Sequence, residues 1–347
     1  MINRTLKNFI LQEGYFSKSI ERSIIKFLDC KDSYVKGKLA EDIIIKLVRK
    51  SPKNRVGGYE FVSELYRVEK HTVALTGKRD HITHTLNTFI LGLYINKNFL
   101  NSSVDFNTWK NTALLHDIAY PLEIANNIGE RYFDKLRSTK KNLGVGKYSP
   151  ILKIIPKDFE KLTHNKNSFD YIQKRVDEWG IKVDVRKRFD DMLSNGELNH
   201  GIFGALTILF LVDLFIDKHN PKRKKEDIFH GEVNFNQKIF ENRAISGCAA
   251  IYLHGLWPND FYKELDKRKY PLPYLLKLSD ELQNWERLSH DMSDGDPVSN
   301  YDIEVEKGIL KFKVSTNKRK LCMEQNLKCL NDTEVKIVRL QRQAHKL

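Results

Sequence analysis

The chain lacks the features that mark secreted and membrane proteins. Its 347 residues include only four cysteines, which form neither a disulfide framework nor a Cys-X-X-Cys zinc ribbon. The N-terminus has no apolar run long enough for a signal peptide. The longest apolar stretch, residues 201–216, is interrupted by Asp213 and is shorter than the ~20 residues that span a bilayer. These absences predict a soluble, cytoplasmic protein with no membrane partner.

Internal repeats and low-complexity linkers are also absent from the sequence. Hydrophobic residues make up 41% and charged residues 30%, which is enough apolar material for a full core and excludes an intrinsically disordered chain. At roughly 100–200 residues per domain, the length allows one large domain or two ordinary ones.

Acidic residues are in deficit. The 59 Lys and Arg residues against 45 Asp and Glu residues give a formal net charge of +14, which favours polyanionic partners. The excess is greatest in residues 131–161, which we call the basic run and which contain nine basic and three acidic residues. Short basic runs are more often solvated surface, so the charge alone selects no function.

Apolar residues at three- and four-residue spacings predict helices through most of the chain. The pattern changes near the C-terminus, where alternation on both sides of Lys307-Gly308 predicts a hairpin over residues 301–314. We therefore predict an all-α body with a small C-terminal β-hairpin appendage. The predicted helices cover residues 20–28, 39–48, 61–68, 83–95, 109–118, 169–179, 201–216, 244–253 and 274–282.

Histidines and aspartates recur at or near the ends of these apolar segments. An adjacent His-Asp pair in an apolar helix is costly to bury unless both groups are paired, and a divalent metal ion can pair with both. Along the chain the order is His, His-Asp, His, His, Asp, on separate predicted helices. The residues are His81, His116, Asp117, His200, His254 and Asp280.

This order resembles that of the HD-domain superfamily of metal-dependent phosphohydrolases. The segments around His116-Asp117 and Asp280 are similar to the family beyond the ligands themselves, and the resemblance covers about residues 59–288. It implies an HD-domain-like helical bundle over residues 59–295, with a basic insertion at about 130–195. Residues 1–58 would then be an N-terminal helical segment, and residues 296–347 a C-terminal hairpin and tail.

The resemblance implies one or two divalent transition-metal ions, with Mn, Fe, Co or Ni favoured over Mg. All six residues of the series are the implied metal ligands. His84, one turn after His81, is an alternative first ligand or a substrate contact. Structural uses remain open, because histidines are common near helix ends and the charged candidates could form salt bridges. The implied catalytic residues are Asp117, His84, Glu123 and Arg79, and the implied substrate-binding residues are Lys140, Lys141 and Arg287.

Two departures from the family argue against transferring the substrate of either known branch to this chain. Tyr120-Pro121 follows the His-Asp pair where the deoxynucleoside-triphosphate hydrolase branch has a second histidine, and the cyclic-di-GMP branch signature is absent. We therefore expect a phosphohydrolase that acts on a phosphate ester of a nucleotide, cyclic nucleotide or oligonucleotide. A nucleotide-binding sensor without hydrolysis and a nuclease acting on nucleic acid are the alternatives. The remaining histidines are predicted to lie on the surface: His71, His164, His219, His230, His290 and His345.

Overall fold

The computed structural model describes residues 1–48, 68, 81–139, 159–162, 166–218, 240–256, 265–283, 285, 301–330 and 332–340. These residues are predominantly helical, with a three-stranded sheet near the C-terminus. The predicted all-α fold with a small C-terminal β appendage is confirmed. In the part of the chain described, no helix combines the length and apolarity needed to cross a membrane.

The described residues form the following elements in chain order. The helices are α1 (Ile2–Glu13), α2 (Lys18–Asp29), α3 (Ser33–Val48), α4 (His81–Asn98), α5 (Phe106–Leu115), α6 (Tyr120–Thr139), α7 (Ser168–Glu178), α8 (Val185–Ser194), α9 (His200–Lys218), α10 (Ser246–His254), α11 (Pro271–Leu282) and α12 (Asn317–Leu327). A π-helical turn, Phe240–Ile245, precedes α10, and a 3₁₀ turn, Lys328–Leu330, follows α12. The strands are β1 (Lys161–Leu162), β2 (Lys166–Asn167), β3 (Tyr301–Glu306), β4 (Ile309–Val314) and β5 (Val335–Arg339).

The chain divides into two compact units. The first comprises Met1–Val48, Gly77–Ala113 and Asp260–Leu347, and the second comprises Arg49–Thr76 and Leu114–Asn259. Each unit is therefore built from segments that are distant in sequence.

Helix α4 is the most deeply buried element of the first unit. Fifteen of its eighteen residues are buried, including polar ones near its start, and it packs against α3 and α11. Gly92 allows α4 to pack closely against Trp109 of α5, because a Cβ at position 92 would lie 1.9 Å from the Trp109 ring. The indole nitrogen of Trp109 donates to the Phe89 carbonyl at 3.0 Å, which satisfies this fully buried side chain.

The C-terminal sheet of the first unit has the order β3-β4-β5. β3 and β4 form the predicted hairpin, whose turn places Lys307 and Gly308 at φ 51° and 76°, as the favoured two-residue hairpin turns require. The sequence did not predict α12 or β5, which pairs in parallel with β4. Trp285, Tyr301 and Phe312 pack together on the buried face.

Helices α9 and α10 form the centre of the second unit. Two glycines bring the start of α9 against the end of α10, since a Cβ at Gly201 would lie 2.7 Å from the backbone nitrogen of Gly255. The Asn199 amide donates to the Gly255 carbonyl at 2.5 Å and strengthens this contact. The first residue of α9 and the last residue of α10 are therefore held close together.

The prediction that His116 and Asp117 lie inside an apolar helix is wrong. Helix α5 ends at Leu115, and a turn closed by the hydrogen bond from the Tyr120 backbone to the Asp117 carbonyl (2.9 Å) leads into α6. Pro121 explains the break, because proline has no backbone N–H and suits the first turn of a new helix rather than the interior of a long one. Of the predicted helix 61–68, all but Val68 lies outside the described residues.

Candidate metal centre

Three predicted ligands converge in the second unit, and we call them the Asp117 cluster: Asp117, His200 and His254. Asp117 lies in the turn after α5, His200 is the first residue of α9, and His254 is the last residue of α10. One potential ligand atom of each lies within 4.8 Å of those of the other two. Two imidazoles and one carboxylate are a donor set that suits a first-row transition metal. The residues of the cluster therefore fit a metal ion.

His116 borders this cluster. Its Nε2 lies 3.4 Å from Oδ2 of Asp117, and its ring meets the ring of His254 edge-on, with centroids 5.2 Å apart. The imidazole is fully buried. Four of the six predicted metal ligands thus lie together in the second unit.

Glu123 orients the ring of His200 from behind. Its Oε2 accepts the His200 backbone N–H at 2.8 Å and lies 2.7 Å from Nδ1 of the ring. The opposite ring nitrogen, Nε2, lies 3.4 Å from Oδ1 of Asp117. A carboxylate on one imidazole nitrogen fixes the tautomer that leaves the other nitrogen available to a metal.

The pKa values of this pair move apart. Burial alone raises the pKa of Glu123, but the hydrogen bonds and the charge of His200 outweigh it and lower the pKa of the carboxyl below its usual value. Burial alone lowers the pKa of His200, but the hydrogen bond to Glu123 and the negative charge of Asp117 outweigh it and raise the pKa of the ring. Both shifts favour an ionised Glu123 carboxylate that accepts a hydrogen bond from Nδ1 of His200.

The other predicted ligands lie in the first unit. Nε2 of His84 lies 2.8 Å from Oδ1 of Asp280, and Nδ1 of the same ring contacts the side-chain oxygen of Gln283. His81 and His84 meet edge-on, with ring centroids 6.1 Å apart. The structure thus places His84 directly against Asp280.

The other predicted site residues lie outside the described part of the chain: Arg79, Lys140, Lys141 and Arg287. The histidines predicted to lie on the surface are also outside it: His71, His164, His219, His230, His290 and His345.

Sequence reasoning missed two neighbours of the predicted ligands. Gln283 follows Asp280 by three residues, a spacing that puts both on one side of a helix end, and this spacing could have revealed it. The ring of Tyr120 packs edge-on against His200, with centroids 5.5 Å apart. In the sequence, Tyr120 stands out only as a departure from a family pattern, and nothing there predicts its position beside His200.

No protein-family model, curated protein or solved structure matches the chain. The resemblance to the HD-domain superfamily therefore rests on the order and chemistry of the chain's own residues.

Proposed function

We propose that the chain is an HD-type metal-dependent phosphohydrolase that cleaves a phosphate ester of a nucleotide, cyclic nucleotide or oligonucleotide. The observation that carries the proposal is the Asp117 cluster, with Glu123 behind His200. The Glu123 carboxylate lies on Nδ1 of the His200 ring, and Nε2 of the same ring faces Asp117. Proteins orient histidine ligands of a metal by such a carboxylate.

The side chains have separate tasks in this proposal. Asp117, His200 and His254 would hold the ion. Glu123 keeps the proton of His200 on Nδ1, which would leave Nε2 available as a ligand atom. When bound, the metal supplies a water of lowered pKa and an acceptor for negative charge on phosphoryl oxygens. Imidazole ligands favour Mn, Fe, Co or Ni over Mg.

A metal-loading experiment tests the cluster. We expect the wild type, loaded with Mn²⁺ or Ni²⁺ and then desalted, to retain the metal by elemental analysis, whereas Asp117→Ala retains less. Asp170→Ala is the matched control, since Asp170 is an exposed aspartate at the start of α7 in the same unit. Unchanged circular dichroism would show that the fold survives. A wild type that holds no transition metal would contradict the proposal.

A substrate screen tests the chemistry. Nucleotides, cyclic nucleotides and short oligonucleotides are offered with Mn²⁺, Co²⁺, Ni²⁺ or Mg²⁺, and released phosphate or product is measured. Hydrolysis that is lost in Asp117→Ala supports the phosphohydrolase. Metal-dependent nucleotide binding without turnover would instead support the sensor alternative, and salt-sensitive cleavage of oligonucleotides alone would support the nuclease.

The basic run is proposed to attract the anionic substrate. Its charge comes from the sequence, and long-range attraction raises encounter rates without changing the chemical step. The double substitution Lys140→Glu, Lys141→Glu should therefore raise KM more than it lowers kcat. No change in either constant would assign this run to solvated surface.

A further inference from the structure

Among the described residues, strand β5 pairs with another strand on one edge only. β5 pairs with β4 in parallel, with Leu310 opposite Val335 and Val314 opposite Arg339. This register determines which backbone groups of β5 face β4. The Leu310 N–H donates to the Glu334 carbonyl at 2.8 Å, and the Leu340 N–H to the Val314 carbonyl at 2.8 Å. In a parallel ladder, residues 334, 336, 338 and 340 therefore bond to β4.

The odd-numbered residues of β5 consequently direct their N–H and C=O groups away from the sheet. Within the described part of the chain, no strand pairs with this edge and no backbone hydrogen bond reaches Ile337 or Arg339 from it. A row of donors and acceptors at strand spacing is a template for another extended chain.

A groove of about 520 Å³ runs along this edge, and we call it the β5 groove. Helix α12 and the 3₁₀ turn form one wall, and β5 forms the other. Its lining residues that matter here are Lys320, Glu324, Lys328, Asp332, Lys336 and Val338. A groove between an edge strand and a helix is the geometry by which proteins bind peptides through strand addition.

The charge left in the β5 groove is positive. Glu324 is paired with Lys320 at 3.6 Å, and Asp332 is already engaged by Lys267. Lys328 and Lys336 have no ion pair among the described residues. The groove thus presents two uncompensated lysines beside the backbone edge, and exposed Arg339 lies at the end of the strand.

We propose that the β5 groove binds an extended, acidic peptide segment of a partner protein, which adds as a fourth strand beside β5. The peptide backbone bonds to the outward groups of Ile337 and Arg339. Acidic side chains at alternate positions reach Lys328 and Lys336, because successive side chains of a strand point to opposite faces.

Charge and backbone geometry select this occupant over two others. A second copy of the chain would bring its own Lys336 and Arg339 against the same residues, and like charges directly opposite each other destabilise a strand pair. A nucleic acid would satisfy the lysines, but it offers no alternating amide donors and acceptors to the backbone edge. An acidic peptide satisfies both features.

Fluorescence anisotropy with the full chain tests the proposal. The probes are a fluorescein-labelled peptide of five Val-Glu repeats, the matched Val-Lys peptide and a labelled ten-nucleotide oligothymidylate. We expect the Val-Glu peptide to bind at least about tenfold more tightly than the Val-Lys peptide, a difference of about 1.4 kcal/mol. Equal binding of the two peptides would overturn the proposal.

Two pairs of variants test the lysines and the backbone edge separately. Lys328→Glu with Lys336→Glu should weaken Val-Glu binding about tenfold or more. Its control, Lys26→Glu with Lys31→Glu, makes the same charge change at two exposed lysines near the end of α2 and should have no effect. Arg339→Pro removes an outward N–H and a charge, whereas Arg339→Ala removes only the charge. We expect the proline variant to bind more weakly than the alanine variant.

The remaining outcomes are decisive. The N–H at position 339 takes no part in the ladder to β4, so Arg339→Pro should leave the sheet intact. Thermal unfolding of each variant checks this. Equal affinities of Arg339→Pro and Arg339→Ala would overturn strand addition. Loss of oligothymidylate binding in the Lys328/Lys336 variant, with no Val-Glu binding in the wild type, would replace the peptide with nucleic acid. Sedimentation as a dimer that Arg339→Pro dissociates would replace it with a second copy.

Discussion

One carboxylate oxygen of Glu123 is shared by the backbone and the ring of His200, at 2.8 Å from the main-chain nitrogen and 2.7 Å from Nδ1. Because His200 is the first residue of α9, the same contact places a negative charge at a helix N-terminus, where backbone N–H groups attract it. Glu123 itself comes from the first turn of α6. The orientation of one candidate ligand is thus set by two helices.

This relationship predicts a strong effect of Glu123 on metal binding. We expect Glu123→Ala to weaken Mn²⁺ or Ni²⁺ affinity by about 10–100-fold, because the His200 ring loses its orientation and its preferred tautomer. Glu123→Gln, which keeps an acceptor oxygen but no charge, should lie between the wild type and Glu123→Ala. Isothermal titration calorimetry measures the affinity.

Glu197→Ala is the control for this prediction, since it removes an exposed glutamate three residues before His200. It should leave metal affinity unchanged. If Glu123→Ala and Glu197→Ala bound metal alike, Glu123 would have no positioning role.

The helices that carry the candidate ligands could be predicted because their apolar periodicity is strong. His81 and His200 begin α4 and α9, and His254 ends α10, as the sequence predicted. The turn at Asp117 could not be predicted from periodicity, since apolar residues continue through it. Only Pro121 marked the break, because proline suits the first turn of a helix, but it does not show where the preceding helix ends.

Contacts between residues that are distant in the chain also could not be predicted from the sequence. β5 is short, and two of its five residues, Lys336 and Arg339, are charged and exposed. Among the described residues, the strand pairs on one side only. Its parallel partner lies across α12, so no local turn signal announces it. The contact between Glu123 and His200 spans 77 residues and likewise has no local signature. The sequence predicted the candidate ligands and Glu123 as a site residue, but not the contact between Glu123 and His200.

Two helical glycines are expected to respond oppositely to alanine. At Gly92 a Cβ would lie 1.9 Å from the Trp109 ring, so Gly92→Ala should lower the free energy of unfolding by about 1–3 kcal/mol through overpacking. At Gly204 the nearest atom would be 3.6 Å away, an ordinary contact, so Gly204→Ala should raise it by up to about 1 kcal/mol through helix propensity. Urea denaturation measures both. Equal effects at the two positions would contradict the close packing of α4 on Trp109.

The four cysteines are expected to differ in reactivity. Cys248 is buried in α10, and burial raises the pKa of its thiol, so little reactive thiolate forms. Cys322 is exposed on α12 and should react first with iodoacetamide in the native protein. Mass spectrometry of the labelled chain identifies the modified residue. Cys248 should react only after denaturation, and rapid native labelling at Cys248 would contradict the packing of α10.

A partly buried ionic network should stabilise the C-terminal sheet. Asp332 accepts hydrogen bonds from Lys267 and the Tyr274 hydroxyl, and its side chain is only 7% exposed. Glu334 binds the same lysine at 2.8 Å, but its side chain is 40% exposed. Asp332→Asn should therefore lower the free energy of unfolding by about 2 kcal/mol or more, since it leaves a shielded lysine with less compensation. Glu334→Gln is the matched control and should cost less than about 1 kcal/mol, as solvent-exposed pairs do. Urea denaturation of both variants decides the matter, because equal losses would show that burial does not set the strength of these contacts.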